Sequence, residues 1–325
     1  MAYSIGALAA ALLAAPRVSS EGGTARRPAQ GASPLRNILV AAKRSPVFGR
    51  LYERAKEPYL RFRNQGRSTL NLLTTFPLYE PYSGGTYAQR APLSVQAIND
   101  LVPSLVAFGE GLGHRRAAVM TDAEYAEAFG KGRPAELAAA LTRYGSDKAS
   151  KHDYHLIYAS VLERCGADRK LNLLEIGLGT NMIDVVSNMG IAGHPGASLR
   201  AFRDFLPGAS IYGADVDRRV LFSEDRIETF YVDQTDRRSF TELGKNLPGD
   251  FDVMIDDGLH LPTANLNSLS FFLSKIVVGG FAIVEDIPAG AEDLWHFVAN
   301  MLPSSCEACI VRSGPSLVFV VEKKA

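Results

Sequence analysis

Acidic side chains and one histidine stand at the points where predicted strands in the second half of the chain end. They are Glu175, Asp215, Asp233, Asp256, Asp257, His260, Glu285 and Asp286. In a doubly wound sheet of parallel strands these ends meet at one edge, where such sheets bind their ligands. Carboxylates there could hold sugar hydroxyls or a metal ion, and a histidine can accept a proton at neutral pH. The pattern predicts one ligand site at this edge.

A glycine turn follows the first of these strands, in the sequence EIGLGTN. Gly177 and Gly179 allow a tight turn and a close approach of the backbone to a ligand. Asp215 ends the next strand, where an acid can accept both hydroxyls of a ribose, as in nicotinamide and S-adenosylmethionine enzymes. A dinucleotide site needs a third glycine that leads directly into a helix. Here Asn181 begins a long insertion instead, which favours an adenosyl ligand without a pyrophosphate.

Five segments carry a resemblance to a known family: EIGLGTN, GASLRAFRDFLPGASIYGADVD, YVDQTD, FDVMIDDGLH and GGFAIVEDI. Together they resemble class I S-adenosylmethionine-dependent methyltransferases, and among these the metal-dependent O-methyltransferases of macrolide sugars, the mycinamicin type. The upstream segment YGSDKASKHDYHLIY matches the same family, so the resemblance covers about residues 140–325. It implies methyl transfer from S-adenosylmethionine to a hydroxyl of a sugar or glycosylated small molecule, assisted by Mg²⁺.

The resemblance also implies a role for each matching residue. The implied cofactor-binding residues at the strand ends are Glu175, Gly177, Gly179, Asp215, Asp233 and Gln234. Of these, Glu175 and Gly177 would lie at the amino-acid end of the cofactor. Asp215 would lie at the ribose, and Asp233 with Gln234 at the adenine. The implied magnesium ligands are Asp257, Glu285 and Asp286, and the implied general base is His260. The family has Gly-Ser-His after its paired aspartates, whereas this chain has Gly-Leu-His.

Elementary chemistry supports the metal and base roles. Magnesium takes oxygen ligands, and a bound metal can lower the pKa of a hydroxyl. His260 follows Asp257 by three residues, close enough to take that proton. Asp256 and Asp257 are adjacent in a strand and point to opposite faces, so one of them is expected to be a structural hydrogen-bond acceptor. Each acid could also simply cap a loop.

Polar residues outside the strand ends could also belong to the predicted ligand site. Asp147, Lys148 and Tyr154 precede the first strand, where they could fold over the cofactor or cap a helix over 151–164. The family pattern favours the cofactor role. Arg200 and Arg203 lie one turn apart on a predicted helix. They could face the carboxylate of the cofactor, or pair with Asp204 and solvent.

Alternating strands and helices position these residues. Strands are predicted at 171–177, 210–217, 228–236, 251–258 and 279–287, and helices at 198–206, 237–247, 262–275 and 291–302. Two β-rich runs across a Ser-Gly-Pro-Ser turn predict a terminal antiparallel hairpin. The fold class is therefore α/β, with a doubly wound, Rossmann-like seven-stranded methyltransferase sheet over residues 140–325.

The chain upstream differs in composition. Residues 1–70 hold 12 Lys+Arg but only 3 Asp+Glu, and we predict that residues 1–45 are a disordered basic tail or a targeting segment. Residues 46–139 are predicted to form a mainly helical N-terminal extension, with helices at 94–108 and 121–143. Thr121 and Glu124 have the spacing of a capping box. The extension could support a homo-oligomer.

Overall composition limits the class of function. The 325 residues carry 35 basic and 35 acidic side chains, which does not favour a nucleic-acid binder. Three cysteines fit a reducing compartment, and the sequence has no apolar run of about 20 residues that could span a bilayer. We expect a cytoplasmic enzyme, or an organellar one if the N-terminus is a transit peptide. Its partner would be a small-molecule or glycan acceptor. The rival hypotheses are a nicotinamide-dependent oxidoreductase and a catalytically inactive scaffold that binds S-adenosylmethionine.

Overall fold

The structure is a computed structural model that describes the fold of residues 87–325. The predictions for residues 1–45 and for residues 46–86 lie outside the described residues. The described helices are α1 (Tyr87–Gly111), α2 (Asp122–Phe129), α3 (Pro134–Tyr144), α4 (Tyr154–Cys165), α5 (Ala197–Phe205), α6 (Arg237–Asn246), α7 (Pro262–Lys275) and α8 (Glu292–Met301). The described strands are β1 (Ala118–Thr121), β2 (Asn172–Ile176), β3 (Ser210–Asp215), β4 (Ser223–Glu224), β5 (Ile227–Tyr231), β6 (Phe251–Asp256), β7 (Ile276–Pro288), β8 (Cys306–Ser313) and β9 (Ser316–Lys323).

All nine strands form one sheet in the order β1-β8-β9-β7-β6-β2-β3-β5-β4. The central strands β5, β3, β2, β6 and β7 are parallel, and the hairpin of β8 and β9 is antiparallel, as predicted. The predicted number of seven strands is wrong for this sheet, because two short strands extend its edges. β4 pairs with β5, and β1, which comes from the predicted N-terminal extension, pairs with β8.

The central strand β2 is buried on both faces. Leu173 and Leu174 are adjacent in β2, yet each lies in a different hydrophobic core. One core includes Tyr158 of α4 and Phe202 of α5, and the other includes Trp295 of α8. Because neighbouring strand residues point to opposite faces, a continuous apolar run requires helices on both sides of the sheet. The predicted fold class, an α/β fold with a doubly wound sheet, is therefore confirmed.

One predicted helix is divided in the structure. The sequence predicts a single helix over 121–143, but α2 ends at Phe129 and α3 begins at Pro134. Gly130 has a φ of 105°, which a helix cannot contain, and proline is favoured in the first turn of a new helix. The predicted capping box is present, since the Thr121 side chain accepts the Glu124 N–H and the Glu124 carboxylate accepts the Thr121 N–H.

The sheet has a topological switch point at β2. The chain runs outward from β2 to β3 and β5, and then returns to the other side of β2 as β6 and β7. Ligands of such sheets bind beyond the carboxyl ends of the strands at this point. Across residues 87–325, the helices lack the combination of length and apolar character that crossing a bilayer would require.

Candidate active site

Two adjoining clefts lie beyond the carboxyl ends of β2, β3 and β6. The first cleft has a volume of about 390 Å³, and Asp215 and Gln234 are among its lining residues. The second cleft has a volume of about 440 Å³, and Lys148, His260 and Asp286 are among its lining residues. The residues that line both are Gly177, Gly179, Ser187, Asp257 and Gly258. The glycine turn and the loop after β6 therefore form the boundary between the clefts.

The glycine turn is held in a conformation that excludes side chains. Gly177 has a φ of 99°, and a Cβ there would overlap the carbonyl oxygen of Asp257. Gly179 has a φ of 75°, and a Cβ there would overlap the sulfur of Met189 in the insertion. Residues other than glycine rarely adopt such φ values. The two glycines allow the backbone to pass closely between the loop after β6 and the insertion.

Asp215 lies at the end of β3 and lines the first cleft. Its carboxylate accepts the backbone N–H groups of Leu178 and Asp217, each at 2.8 Å, and burial raises the pKa of Asp215. Asp217 adds a second buried carboxylate, which accepts the Arg219 guanidinium at 2.6 Å. That hydrogen bond lowers the pKa of Asp217 to about 2. The cleft wall therefore presents acidic oxygens whose orientation is fixed by the protein.

Asp233 and Gln234 also line the first cleft, but their side chains contact the protein. The Asp233 carboxylate accepts the Thr235 N–H at 2.9 Å. The Gln234 amide nitrogen donates to Asp256 at 2.7 Å and to Ser268 at 2.8 Å, while its oxygen accepts the Leu259 N–H at 2.8 Å. Gln234 thus ties the loop after β6 to the buried end of that strand.

The paired aspartates have separate environments. Asp256 is fully buried, accepts hydrogen bonds from Gln234 and from Asn265 at 3.0 Å, and has a pKa that burial raises. Asp257 is partly exposed and lines both clefts. The expectation that one of the pair is a structural acceptor is confirmed, because the buried Asp256 accepts these hydrogen bonds while Asp257, just beyond the end of β6, faces the clefts.

Asp257, His260 and Asp286 meet in the second cleft. One possible ligand atom from each lies within 4.8 Å of the others. The Nε2 atom of His260 is 3.9 Å from Asp257 Oδ1 and 3.8 Å from Asp286 Oδ2. Tyr154 donates its hydroxyl to the other oxygen of Asp286 at 2.5 Å. We call these three side chains the acid–histidine trio.

Two residues of the trio have a strained backbone. His260 has a φ of 54° and Asp286 a φ of 53°, which are left-handed values that cost energy for residues other than glycine. The Nδ1 atom of His260 is buried, and the described part of the chain offers it no hydrogen-bond partner. Strain and an unpaired polar atom at the same place are typical of a functional site.

A buried ionic cluster adjoins the trio. The Lys148 ammonium lies 2.6 Å from Asp257 Oδ2 and 3.2 Å from Glu175 Oε1, and it also contacts Glu285 Oε2. Burial opposes its charge, but the three carboxylates raise the pKa of Lys148 well above its usual value. For Glu285, burial itself raises the pKa of the carboxyl group well above its ordinary range. The hydroxyl of Tyr158 donates to the remaining oxygen of Glu285.

The three predicted magnesium ligands have different surroundings in the structure. The resemblance implies Asp257, Glu285 and Asp286 as the magnesium ligands. The structure brings Asp257 and Asp286 together with His260, but Glu285 is engaged by Lys148 and Tyr158 and lies outside this trio.

The predicted cofactor residues are also only partly assembled. Asp147 and Lys148 line the second cleft, whereas Tyr154 contacts Asp286. Glu175 is fully buried below the glycine turn, where it accepts the Ser198 hydroxyl at 2.5 Å, and it lines neither cleft. Its oxygens are therefore directed to the protein.

Arg200 is not brought to either cleft. Its guanidinium donates to Glu224 at 2.7 and 3.0 Å and lies 4.3 Å from the ring centroid of Phe222. The carboxylate that Arg200 binds therefore belongs to β4, and a contact with the carboxylate of the cofactor stays a hypothesis. Arg203 pairs with Asp204, as one of the two hypotheses has it.

Tyr158 and Ser198 belong to the site but are not predicted from the sequence. Tyr154 and Tyr158 are four residues apart on α4, so both hydroxyls project from the same helix face. They contact the neighbouring residues Asp286 and Glu285. That spacing was the available signal for Tyr158, whereas the contact of Ser198 with Glu175 depends on how α5 packs on β2.

Comparisons with known proteins place the sequence beside sugar O-methyltransferases. The 8-demethyl-8-alpha-L-rhamnosyl tetracenomycin-C 2'-O-methyltransferase of Streptomyces olivaceus is 31% identical over 151 residues, which cover 46% of this chain and 37% of that protein. The demethylmacrocin O-methyltransferase of Streptomyces fradiae is 36% identical over 123 residues, which cover 37% of this chain and 28% of that protein. These relatives confirm the resemblance that the motifs predict.

The similarity is partial. The matched segments span only about a third of the length of these curated relatives. No protein-family model matches the sequence. Among solved structures, the MycE methyltransferase of the mycinamycin biosynthetic pathway, in complex with Mg and SAH, is 23% identical with a TM-score of 0.47, and the match covers 58% of this chain and 55% of that chain.

Proposed function

We propose that the chain is an S-adenosylmethionine-dependent O-methyltransferase that acts on a hydroxyl of a sugar or glycosylated small molecule. The observation that carries the proposal is the acid–histidine trio, which lies in the second cleft at its boundary with the first. A cofactor in one cleft and an acceptor in the other would meet at the glycine turn. The similarity to sugar O-methyltransferases supports the same reaction.

The first cleft suits the nucleoside part of the cofactor. Asp215 is positioned at the end of β3 to accept ribose hydroxyls, since each of its oxygens retains a lone pair beyond its backbone hydrogen bond. Gly177 and Gly179 let the ligand approach the backbone, and Asp233 lines the same cleft, where it would meet the adenine. Glu175 and Gln234 support the site indirectly, through Ser198 and the loop after β6.

The second cleft suits the acceptor. His260 takes the proton of the acceptor hydroxyl on Nε2, and the hydroxyl oxygen attacks the sulfonium methyl group in line. The carbon–sulfur bond breaks as the carbon–oxygen bond forms, which leaves the cofactor as a neutral thioether. The chain contributes chiefly by positioning the two substrates, an effect worth roughly 7–11 kcal/mol of barrier in favourable cases.

Asp257 and Asp286 fit a magnesium ion. Their oxygens lie close together, and hard divalent cations prefer carboxylate ligands. A magnesium ion bound there would lower the pKa of the acceptor hydroxyl. Glu285 would join as a ligand only if it left Lys148 and Tyr158.

The rival hypothesis of a nicotinamide oxidoreductase is less well supported. The glycine turn ends at Gly179, whereas α5 begins only at Ala197, after the insertion. The turn therefore does not lead directly into a helix N-terminus that could hold a pyrophosphate. An inactive scaffold would have no need for the strained backbone at His260 and Asp286.

We also propose that residues 140–325 form the catalytic domain and that residues 46–139 form a mainly helical N-terminal extension. Within the described part of that extension, α1, α2 and the start of α3 support this assignment, while β1 joins the sheet of the catalytic domain. A homo-oligomer through the extension and a cytoplasmic location stay predictions.

Transfer of a labelled methyl group tests the proposed reaction. Purified protein is incubated with methyl-labelled S-adenosylmethionine and a panel of glycosylated acceptors, either with Mg²⁺ or with a chelator. We expect label in at least one acceptor, loss of that signal with the chelator, and loss with Asp257→Ala. Transfer that persists in Asp257→Ala and His260→Ala would contradict the mechanism, even if the class of enzyme is right.

A further inference from the structure

Lys148 is the cation of the buried ionic cluster. Its side chain is 3% exposed, and its ammonium contacts Glu175, Asp257 and Glu285 at the ends of β2, β6 and β7. Two of these three carboxylates belong to the predicted magnesium ligands. One ammonium therefore already occupies oxygens that a divalent cation would otherwise use.

A short turn of the backbone holds the Lys148 ammonium among these carboxylates. Lys148 lies in a short 3₁₀ turn, Asp147–Ala149, which is capped by the Ser146 side chain. This turn lines the second cleft through Asp147 and Lys148. Glu285 is held by Lys148 on one oxygen and by Tyr158 on the other, so its orientation depends on both partners.

We propose that Lys148 is a resident counter-cation that competes with a divalent metal for Asp257 and Glu285, and so sets the metal affinity of the site. This inference rests on the proposed function, which includes a magnesium ion at Asp257 and Asp286. With Lys148 in place, Glu285 is neutralised without metal, and metal binding must overcome the charge of the ammonium. Without Lys148, the buried carboxylates of Glu175 and Glu285 and the partly exposed carboxylate of Asp257 lose their counter-charge, a state that favours any available cation.

Mn²⁺ binding to Lys148→Met tests the proposal without any turnover. Full-length protein, free of cofactor and acceptor, is titrated with Mn²⁺ and followed by electron paramagnetic resonance of the free ion. Thermal unfolding is recorded with and without Mg²⁺. We expect Lys148→Met to bind Mn²⁺ about tenfold more tightly or better, because a neighbouring like charge has been removed. Its metal-free form should melt lower than wild type and gain more from Mg²⁺.

Lys151→Met is the matched control. Lys151 belongs to the same segment, but it is exposed and pairs with Asp147 at 3.2 Å. Its replacement should leave Mn²⁺ affinity and the Mg²⁺-dependent gain in melting temperature within about twofold of wild type. Lys148→Arg, which keeps the charge, should also stay close to wild type.

The possible results separate this inference from the proposed function. Equal or weaker Mn²⁺ binding by Lys148→Met overturns the competition and would make Lys148 a residue that positions the ligands. No Mn²⁺ binding in any variant overturns the metal part of the proposed function and this inference with it. If Lys148→Met does not fold, Lys148→Gln takes its place, since its amide can still donate to the carboxylates without a positive charge.

Discussion

Replacement of Gln234 by leucine distinguishes two roles for this residue. The family resemblance implies that Gln234 meets the adenine, whereas in the structure its amide donates two hydrogen bonds to the protein and accepts one. One of these reaches the buried Asp256 carboxylate at 2.7 Å, and hydrogen bonds to charged groups contribute more than neutral ones. Gln234→Leu has a similar size but leaves these partners unsatisfied. We expect a loss of roughly 3 kcal/mol in the free energy of unfolding.

Thermal unfolding measures this loss. For a chain of this size, roughly 3 kcal/mol corresponds to a fall of about 6–12 °C in the melting temperature. Affinity for S-adenosylhomocysteine should fall as well, because the loop after β6 loses the contact between Gln234 and Leu259 and lines both clefts. Asp233→Ala provides the control. Among the described residues, the Asp233 carboxylate accepts hydrogen bonds only from the exposed Thr235, two residues further on, so the melting temperature of this variant should fall much less.

Two results would refute this reasoning. A Gln234→Leu variant that melts within about 2 °C of wild type would show that the three hydrogen bonds contribute little. A variant with unchanged stability but much weaker binding of S-adenosylhomocysteine would support a direct contact between Gln234 and the adenine instead.

Three further predictions concern the base, an acid and the glycine turn. His260→Ala should lower kcat for methyl transfer by about 100-fold or more while the Kd for S-adenosylhomocysteine stays unchanged, and equal losses in both would contradict a base role. Arg219 lowers the pKa of Asp217 to about 2, so the Asp217 carboxylate should contribute stability above pH 4 that is lost as the pH falls towards 2. The urea midpoint of the wild type should therefore fall over this pH range, and that of Asp217→Asn should fall less. Gly177→Ala should abolish cofactor binding, because the new Cβ displaces the loop after β6. Gly113 has a similar φ of 92° but open space around its Cβ, so Gly113→Ala should lower the free energy of unfolding through backbone strain and leave cofactor binding unchanged.

The sheet could be predicted because its signals are local. A continuous apolar run such as β2 identifies a strand buried on both faces, and alternation with helices requires a parallel sheet. The strands β1 and β4 have four and two residues, too few for a periodic pattern, so the sequence predicts seven strands where the sheet within residues 87–325 has nine.

In the candidate site, only the residues that the strand ends bring together could be predicted from the sequence. Asp215 and Asp257 lie at one edge because parallel strands end there, and the sequence is sufficient for this. The separation of Glu285 from Asp286 arises from a register shift in β7 and from the left-handed backbone of Asp286. The partner of Arg200 is on β4, a strand that the sequence does not reveal. Such tertiary contacts decide which carboxylate meets which cation.

Calorimetric titration of the full chain with S-adenosylmethionine and, separately, with NAD tests the central claim most directly. The site described here predicts saturable binding of S-adenosylmethionine that is lost in Asp215→Ala, and no heat of binding with NAD. Binding of NAD without binding of S-adenosylmethionine would contradict the proposed cofactor, and the methyltransferase function with it.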